Sequence, residues 1–249
     1  MCGHCLSRRG LVGAAAALAV MRRASAAEHD AVVEPHMRLP ATADRPVVAL
    51  TFDACPGAFD LRIASALIDD RIPATIFVTA VWMRRNPEGL KLLLAHPNLF
   101  SLQNHGERHI PPVLGERSIF GIPAAGDLAT IRAEVRNGAQ AIEDATGIPP
   151  RWYRAATGFY TPSVIPEIEA MGFAIGGYSF SADAGASLPA DRVAARLAAA
   201  RSGDVIVAHI NQPLRPSGAG VVAGLHELQR KGVMFVRLDG VVPVVPTPA

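Results

Sequence analysis

Six side chains in this sequence have the chemistry to act together on a substrate: Asp53, His105, His109, Arg154, Asp183 and His209. His105 and His109 stand four residues apart in His105-Gly106-Glu107-Arg108-His109. If that segment turns helically, both imidazoles lie on one face and can reach one ion. Neutral imidazole suits zinc and other late first-row divalent metals. The same spacing also fits a loop histidine that faces solvent. A carboxylate can take a proton, a histidine can give one, and a guanidinium can keep a carboxylate ionised.

What must position these groups is a repeating alternation of strand and helix. Val47 to Phe52 is a short apolar, β-branched run of the kind buried on both faces of a sheet. Apolar residues at Leu61, Ala64, Leu67 and Ile68 predict a helix from Leu61 to Asp70. Further strands are predicted over 74–79, 99–102, from Trp152, over 173–180, 204–208 and 233–238. The intervening helices are predicted over 87–95, 127–146, 163–171, 190–200 and 221–231. A loop from Ile110 to Gly126 is longer than most connections in a compact domain, which marks it as a functional loop. Repeated βα units predict a single α/β domain with about seven parallel strands, open or closed into a barrel. In either form the site belongs at the carboxyl ends of the strands. Asp53 follows the first strand, His105 and His109 the third, Arg154 the fourth, Asp183 the fifth and His209 the sixth. One histidine after a strand is more often structural than catalytic; five strands delivering capable groups to one end shift that balance.

The chain has 249 residues, half of them hydrophobic and 18% charged, which excludes a disordered chain. The first 26 residues carry Arg8, Arg9, Arg22 and Arg23 and no acid. The remainder, with 20 basic and 22 acidic residues, is mildly acidic. With no Lys/Arg cluster, it is a poor partner for nucleic acid. Arg8-Arg9, an apolar run from Leu11 to Val20 and Ala24-Ser25-Ala26 predict a twin-arginine signal peptide over 1–26 and export to the periplasm or beyond. The run is too short to span a bilayer, so no membrane span is expected in the mature chain. Cys2 and Cys5 fall in the segment expected to be removed, leaving Cys55 as the one cysteine. Residues 27–46 are expected to form an N-terminal extension or linker, and 47–249 the α/β domain.

The motif set resembles the polysaccharide deacetylase family, also called the NodB-homology domain or carbohydrate esterase family 4. Thr51-Phe52-Asp53 is similar to its first motif, usually T-F-D-D, and His105 through His109 to its second, H-[ST]-x-x-H. Arg154 to Phe159 resembles the third, and Val205 to His209 the fifth. The resemblance implies a distorted (β/α) barrel and divalent-metal hydrolysis of acetyl groups on N- or O-acetylated glycans. It implies that His105 and His109 hold the metal, most simply zinc, and that Asp53 takes the proton of the attacking water. It further implies that Arg154 orients Asp53, that His209 protonates the leaving group and that Asp183 orients His209.

Three positions depart from that pattern. Ala54 stands where the family has a metal-binding aspartate, Gly106 replaces a hydroxyl residue and Ala156 a proline. Alanine cannot bind a metal, so either Asp53 ligates it, or Cys55 supplies a thiolate, or the site binds weakly or not at all. Read by itself, Cys55 is a small buried apolar residue. If the family geometry is kept, Ala54→Asp is expected to tighten metal binding. Two other functions compete: a metal-free amide hydrolase acting on a small cyclic amide, and a glycan-binding protein that has lost catalysis. Trp82, Trp152, Tyr153, Phe159 and Tyr160 are candidates for stacking on sugars or for the core.

Overall fold

The computed structural model describes residues 32–40 and 45–240. The predicted signal peptide, with Cys2 and Cys5, lies outside the described residues. In chain order the elements are β1 (Val47–Ala54), α1 (Leu61–Asp69), β2 (Ala74–Val78), α2 (Ala80–Arg85), α3 (Pro87–Leu94), β3 (Phe100–Asn104), β4 (Ser118–Ile119), β5 (Ile122–Pro123), α4 (Leu128–Thr146), β6 (Trp152–Tyr153), α5 (Val164–Ala170), β7 (Ala174–Ile175), β8 (Phe180–Ser181), α6 (Ala190–Ala198), β9 (Val205–His209), α7 (Ser217–Arg230) and β10 (Met234–Val236). The main sheet runs β7-β6-β3-β2-β1-β9-β8, with β10 beside the first half of β1. Every pairing in it is parallel, and it curls into a half-barrel clothed by helices.

β1 shows how the sequence builds the two layers. Val48, Leu50, Phe52 and Ala54 point outward into the large apolar layer between sheet and helices, together with Ile63, Leu67, Leu225 and Leu228. Val47 and Ala49 point inward, into a smaller cluster with Phe77, Val205 and Leu238. Period-two alternation on a strand buried on both faces therefore sorts one apolar run into two cores. Each fully buried Leu, Ile or Phe contributes about 1.5–3 kcal/mol of transfer free energy. Toward the end of β1 the inward positions turn polar, at Thr51 and Asp53, and that is where the inner core gives way to the site.

The predicted fifth strand, 173–180, is two pieces. β7 pairs with β6, β8 pairs with β9, and the sheet is open between them. Residues 33–39 run along this seam, bridging to Tyr160, Tyr178 and Asp204. Met37 and Leu39 are buried in the inner cluster, and Arg38 pairs with Asp204 at 2.6 Å. A Cβ on Gly177 would lie 2.4 Å from the Pro35 carbonyl oxygen, so glycine is what lets the strap pass this close. The long loop before α4 contains a small hairpin, β4–β5, with the tip residue Phe120 four-fifths exposed. Among the described residues no helix is long and apolar enough to cross a membrane.

Candidate active site and metal centre

Arg154 is the anchor of the site. It follows β6 and is 1% exposed. A guanidinium buried this deeply needs a partner for its donors. Its Nη1 donates to Asp53 Oδ1 at 2.8 Å and to Thr51 Oγ1 at 2.9 Å. Its Nε and Nη2 donate to the carbonyls of Gly176 and Gly177 at the seam, and the Phe77 ring lies 4.0 Å beneath it. Burial pushes the Asp53 carboxyl up, but Arg154, His105 and His209 together hold it below the ordinary carboxylate value. Asp53 thus stays ionised, with Oδ1 occupied by Arg154 and Oδ2 turned toward His105 Nε2 at 3.9 Å.

His209 is the last residue of β9 and the direct register partner of Asp53 across the β1–β9 ladder. Asp183, beyond β8 and wholly buried, grips it twice. One carboxylate oxygen accepts the His209 backbone N–H at 2.7 Å, and the other lies 2.9 Å from Nδ1. Nδ1 therefore carries a proton, and the ring's orientation is fixed. Burial works against the imidazolium, but the Asp183 charge and hydrogen bond outweigh it and raise the His209 pKa well above its usual value.

His105, 1% exposed, places Nδ1 2.9 Å from the Arg154 carbonyl oxygen. A carbonyl can only accept, so Nδ1 donates, and in the neutral ring Nε2 carries the lone pair. That Nε2 lies 3.5 Å from Cys55 Sγ. His109 brings its ring to 4.9 Å from that of His105, with Nε2 buried and without a hydrogen-bond partner. The donor atoms of Cys55, His105 and His109 all lie within 4.8 Å of one another. Buried imidazole nitrogens are seldom left unpaired, so this donor set fits a divalent metal. Cys55 is half-buried and against an imidazole, unlike a cysteine that merely fills the core. Burial raises its thiol, but His105 and His109 lower it well below the ordinary thiol range.

The two histidines meet by a route other than a helix. The 105–109 segment is a bend in which Gly106 has φ 88° and His109 φ 72°. Glu134, 2% exposed on α4, holds the bend with a single oxygen. Its Oε1 accepts the backbone N–H groups of Arg108 and His109 at 2.8 Å and of Ile110 at 3.1 Å. A Cβ on Gly106 would lie 2.4 Å from that oxygen, so the carboxylate occupies the space a side chain at 106 would need. Sequence reasoning missed Glu134. The signal was available: an acid in the otherwise apolar stripe Ile131, Val135, Gly138 and Ile142 of α4. Of the candidate sugar-stacking aromatics, Trp82, Trp152, Tyr153 and Tyr160 are core residues, at most 7% exposed. Phe159 alone is partly open, with Phe120 edge-on to it at 5.7 Å.

A family model described as polysaccharide deacetylase matches residues 41–176. No curated protein sequence matches this chain. Among solved structures, peptidoglycan deacetylase PdaC from Bacillus subtilis is similar at a TM-score of 0.64 and 20% identity, over 80% of this chain and 91% of that one. A family 4 carbohydrate esterase from Streptomyces lividans, in complex with acetate, has a TM-score of 0.62 at 20% identity, over 82% and 100%. A CE4 family pseudoenzyme from Bacillus anthracis has a TM-score of 0.63 at 16% identity, over 83% and 67%. At these identities the likeness is one of fold.

Proposed function

The chain belongs to the polysaccharide deacetylase family, and on that premise we propose that it is an exported, divalent-metal-dependent hydrolase that removes acetyl groups from an N- or O-acetylated glycan. The observation that carries this reading is the convergence of a held carboxylate, a held imidazole and the close pair His105 and His109 at one mouth of the fold. His105 and His109 would hold the metal, most simply zinc. When bound, such an ion supplies Lewis-acid polarisation of the acetyl carbonyl.

The remaining work falls to this chain's own side chains. Asp53 Oδ2, the oxygen that Arg154 leaves free, accepts the proton of the attacking water. Arg154 keeps that carboxylate ionised and immobile, while its remaining nitrogens donate to Gly176 and Gly177. His209, held by Asp183 through Nδ1, presents Nε2 to the leaving nitrogen or oxygen and protonates it. The products are acetate and a free amine or hydroxyl on the sugar. Asp53 and His209 sit side by side on one ladder, so water and leaving group are served from the same wall of the cleft.

Ala54 favours a second reading, a glycan-binding protein that has lost catalysis; the pseudoenzyme among the similar folds fits it. Acetate release from acetylated oligosaccharides, measured alongside metal content, separates the two. Release that requires zinc or a related ion supports the hydrolase; saturable glycan binding without release at any pH supports the alternative. Export is carried by Arg8-Arg9 and Ala24-Ser25-Ala26 alone. N-terminal sequencing of exported protein should find a start near Ala27, and a start at Met1 would remove that part of the proposal.

A further inference from the structure

We propose that Cys55 is the third protein ligand of the metal, so that this member has moved its ligand one residue on, just past the end of β1, and exchanged a carboxylate for a thiolate. The inference rests on the metal-dependent reading above and names the chemistry of the same site.

Strand parity is the first argument. Ala54 is wholly buried in the outer apolar layer with Phe52 and Leu50, on the face turned away from the cleft. A carboxylate at 54 would enter that layer rather than the site. On this placement Ala54→Asp alone is expected to leave metal affinity unchanged. Position 55 has the parity of Thr51 and Asp53, both of which touch Arg154 inside the cleft.

The second argument is the donor set itself. Sγ lies 3.5 Å from His105 Nε2. Two ligands sharing a tetrahedral zinc ion through sulfur and nitrogen stand about 3.6 Å apart, given the usual bond lengths. His109 Nε2, buried and unpartnered, closes the triangle. His105 is committed to the Arg154 carbonyl through Nδ1, so Nε2 is the nitrogen it turns to Cys55.

The chemistry follows. Binding replaces the thiol proton: Cys–SH and a divalent ion give a metal thiolate and a proton, which leaves to solvent. A two-nitrogen, one-sulfur set selects zinc, cobalt and cadmium over magnesium and manganese, which prefer oxygen.

The test is optical and does not depend on catalysis. The metal-stripped mature chain is titrated with cobalt, and circular dichroism confirms that each variant is folded. The expected result is a near-ultraviolet sulfur-to-cobalt charge-transfer band together with tetrahedral d–d bands. Cys55→Ser should abolish the charge-transfer band and weaken zinc binding roughly 10–100-fold or more, the scale of losing even a supporting ligand. Cys55→Asp should bind without the band and shift preference toward manganese. Adding Ala54→Asp to Cys55→Ser should rescue neither. Asp53→Asn should keep the band, since Asp53 is held by Arg154 and lies outside the donor triangle. Tight cobalt binding without a charge-transfer band, or a band that survives in Cys55→Ser, overturns the thiolate ligand and leaves the metal-dependent reading standing. Failure of the parent to bind zinc or cobalt overturns both.

Discussion

The two halves of the site are held in different ways. Asp53 and His209 sit on β1 and β9, paired in register, and their backbones are fixed by the sheet. His109 sits in a bend whose shape depends on one carboxylate from a helix 25 residues further on. The strand-borne half needs its partners, Arg154 and Asp183, to set charge and ring orientation. The loop-borne half needs its partner, Glu134, for the backbone path itself. Loss of a partner should therefore alter protonation and rate in the first half, and geometry and affinity in the second.

The largest effects should come from the strand-borne pair. Removing a positioned acid or base typically costs about 10²–10⁴ in rate. His209→Ala and Asp53→Asn should each lose turnover on that scale while staying folded. Steady-state acetate release with circular dichroism measures both, and a His209→Ala enzyme that kept more than about a tenth of its turnover would refute the acid role.

Arg154→Ala tests the held carboxylate. Breaking a buried pair by removing one partner costs about 3–5 kcal/mol, so its denaturant midpoint should fall sharply near neutral pH. The pH dependence has a definite sign. The folded pKa of Asp53 lies below its unfolded value. Its stabilisation is therefore present above the unfolded value, near 3.9, and is lost as pH falls through the folded one. Arg154→Ala should erase that part of the acid transition.

Glu134→Ala is the matching break in the loop-borne half. It strands three backbone N–H groups and should cost roughly 10–100-fold in metal affinity, the range for supporting groups of metal ligands. Glu134→Gln, which keeps an acceptor oxygen, should recover most of it. Isothermal titration with zinc distinguishes the two, and equal affinities for Glu134→Ala and the parent would break the comparison.

Asp183→Asn is a subtler probe of the strand-borne half. Asp183 raises the His209 pKa, so the pair's stabilisation is present below about 6.5, the unfolded value, and is lost as pH rises through the folded one. The variant should move the alkaline limb of the rate profile to lower pH and flatten the alkaline loss of stability. An unmoved limb would show that some other group sets it. The smallest effect expected is that of Phe120→Ala at the hairpin tip. An edge-on aromatic pair contributes about 0.5–1.5 kcal/mol, and for a ring this exposed the low end applies. Thermal melts should barely shift, while KM for long oligosaccharides, compared with kcat, reports whether the ring touches sugar.

The same division governs what could be read from the sequence. Strand-end groups were legible because a buried β-branched run ends visibly where a polar residue begins, as at Phe52-Asp53 and Ala208-His209. The conformation of 105–109 was not, because positive φ at His109 is imposed from outside by Glu134. α2 was missed because it is six residues long and begins with Ala80 directly after a strand; Thr79 caps it by accepting the Trp82 N–H. The break of 173–180 into β7 and β8 follows from Gly176-Gly177, whose carbonyls go to Arg154 instead of a neighbouring strand. No local pattern announces such a use. Nor does local sequence show that Ala54 lies in the outer apolar layer while Cys55 Sγ lies 3.5 Å from His105 Nε2.

The position of β1 in the sheet bears on how the molecule comes to exist. This strand, near the start of the described chain, is flanked by β2 and β10 on one side and by β9 on the other. Thr51 donates to the Ile206 carbonyl across 155 residues of sequence. During synthesis β1 therefore waits, its β9 edge bare until residues 205–209 have left the ribosome and the first half of its other edge bare until 234–236 follow. Contacts this distant close slowly, and an uncovered strand edge of this composition invites pairing with other chains. Translation halted before Val205 should thus yield a product that depends on chaperones for its solubility, whereas the finished chain can seal β1 in one cooperative step that assembles Asp53 and His209 at the same moment.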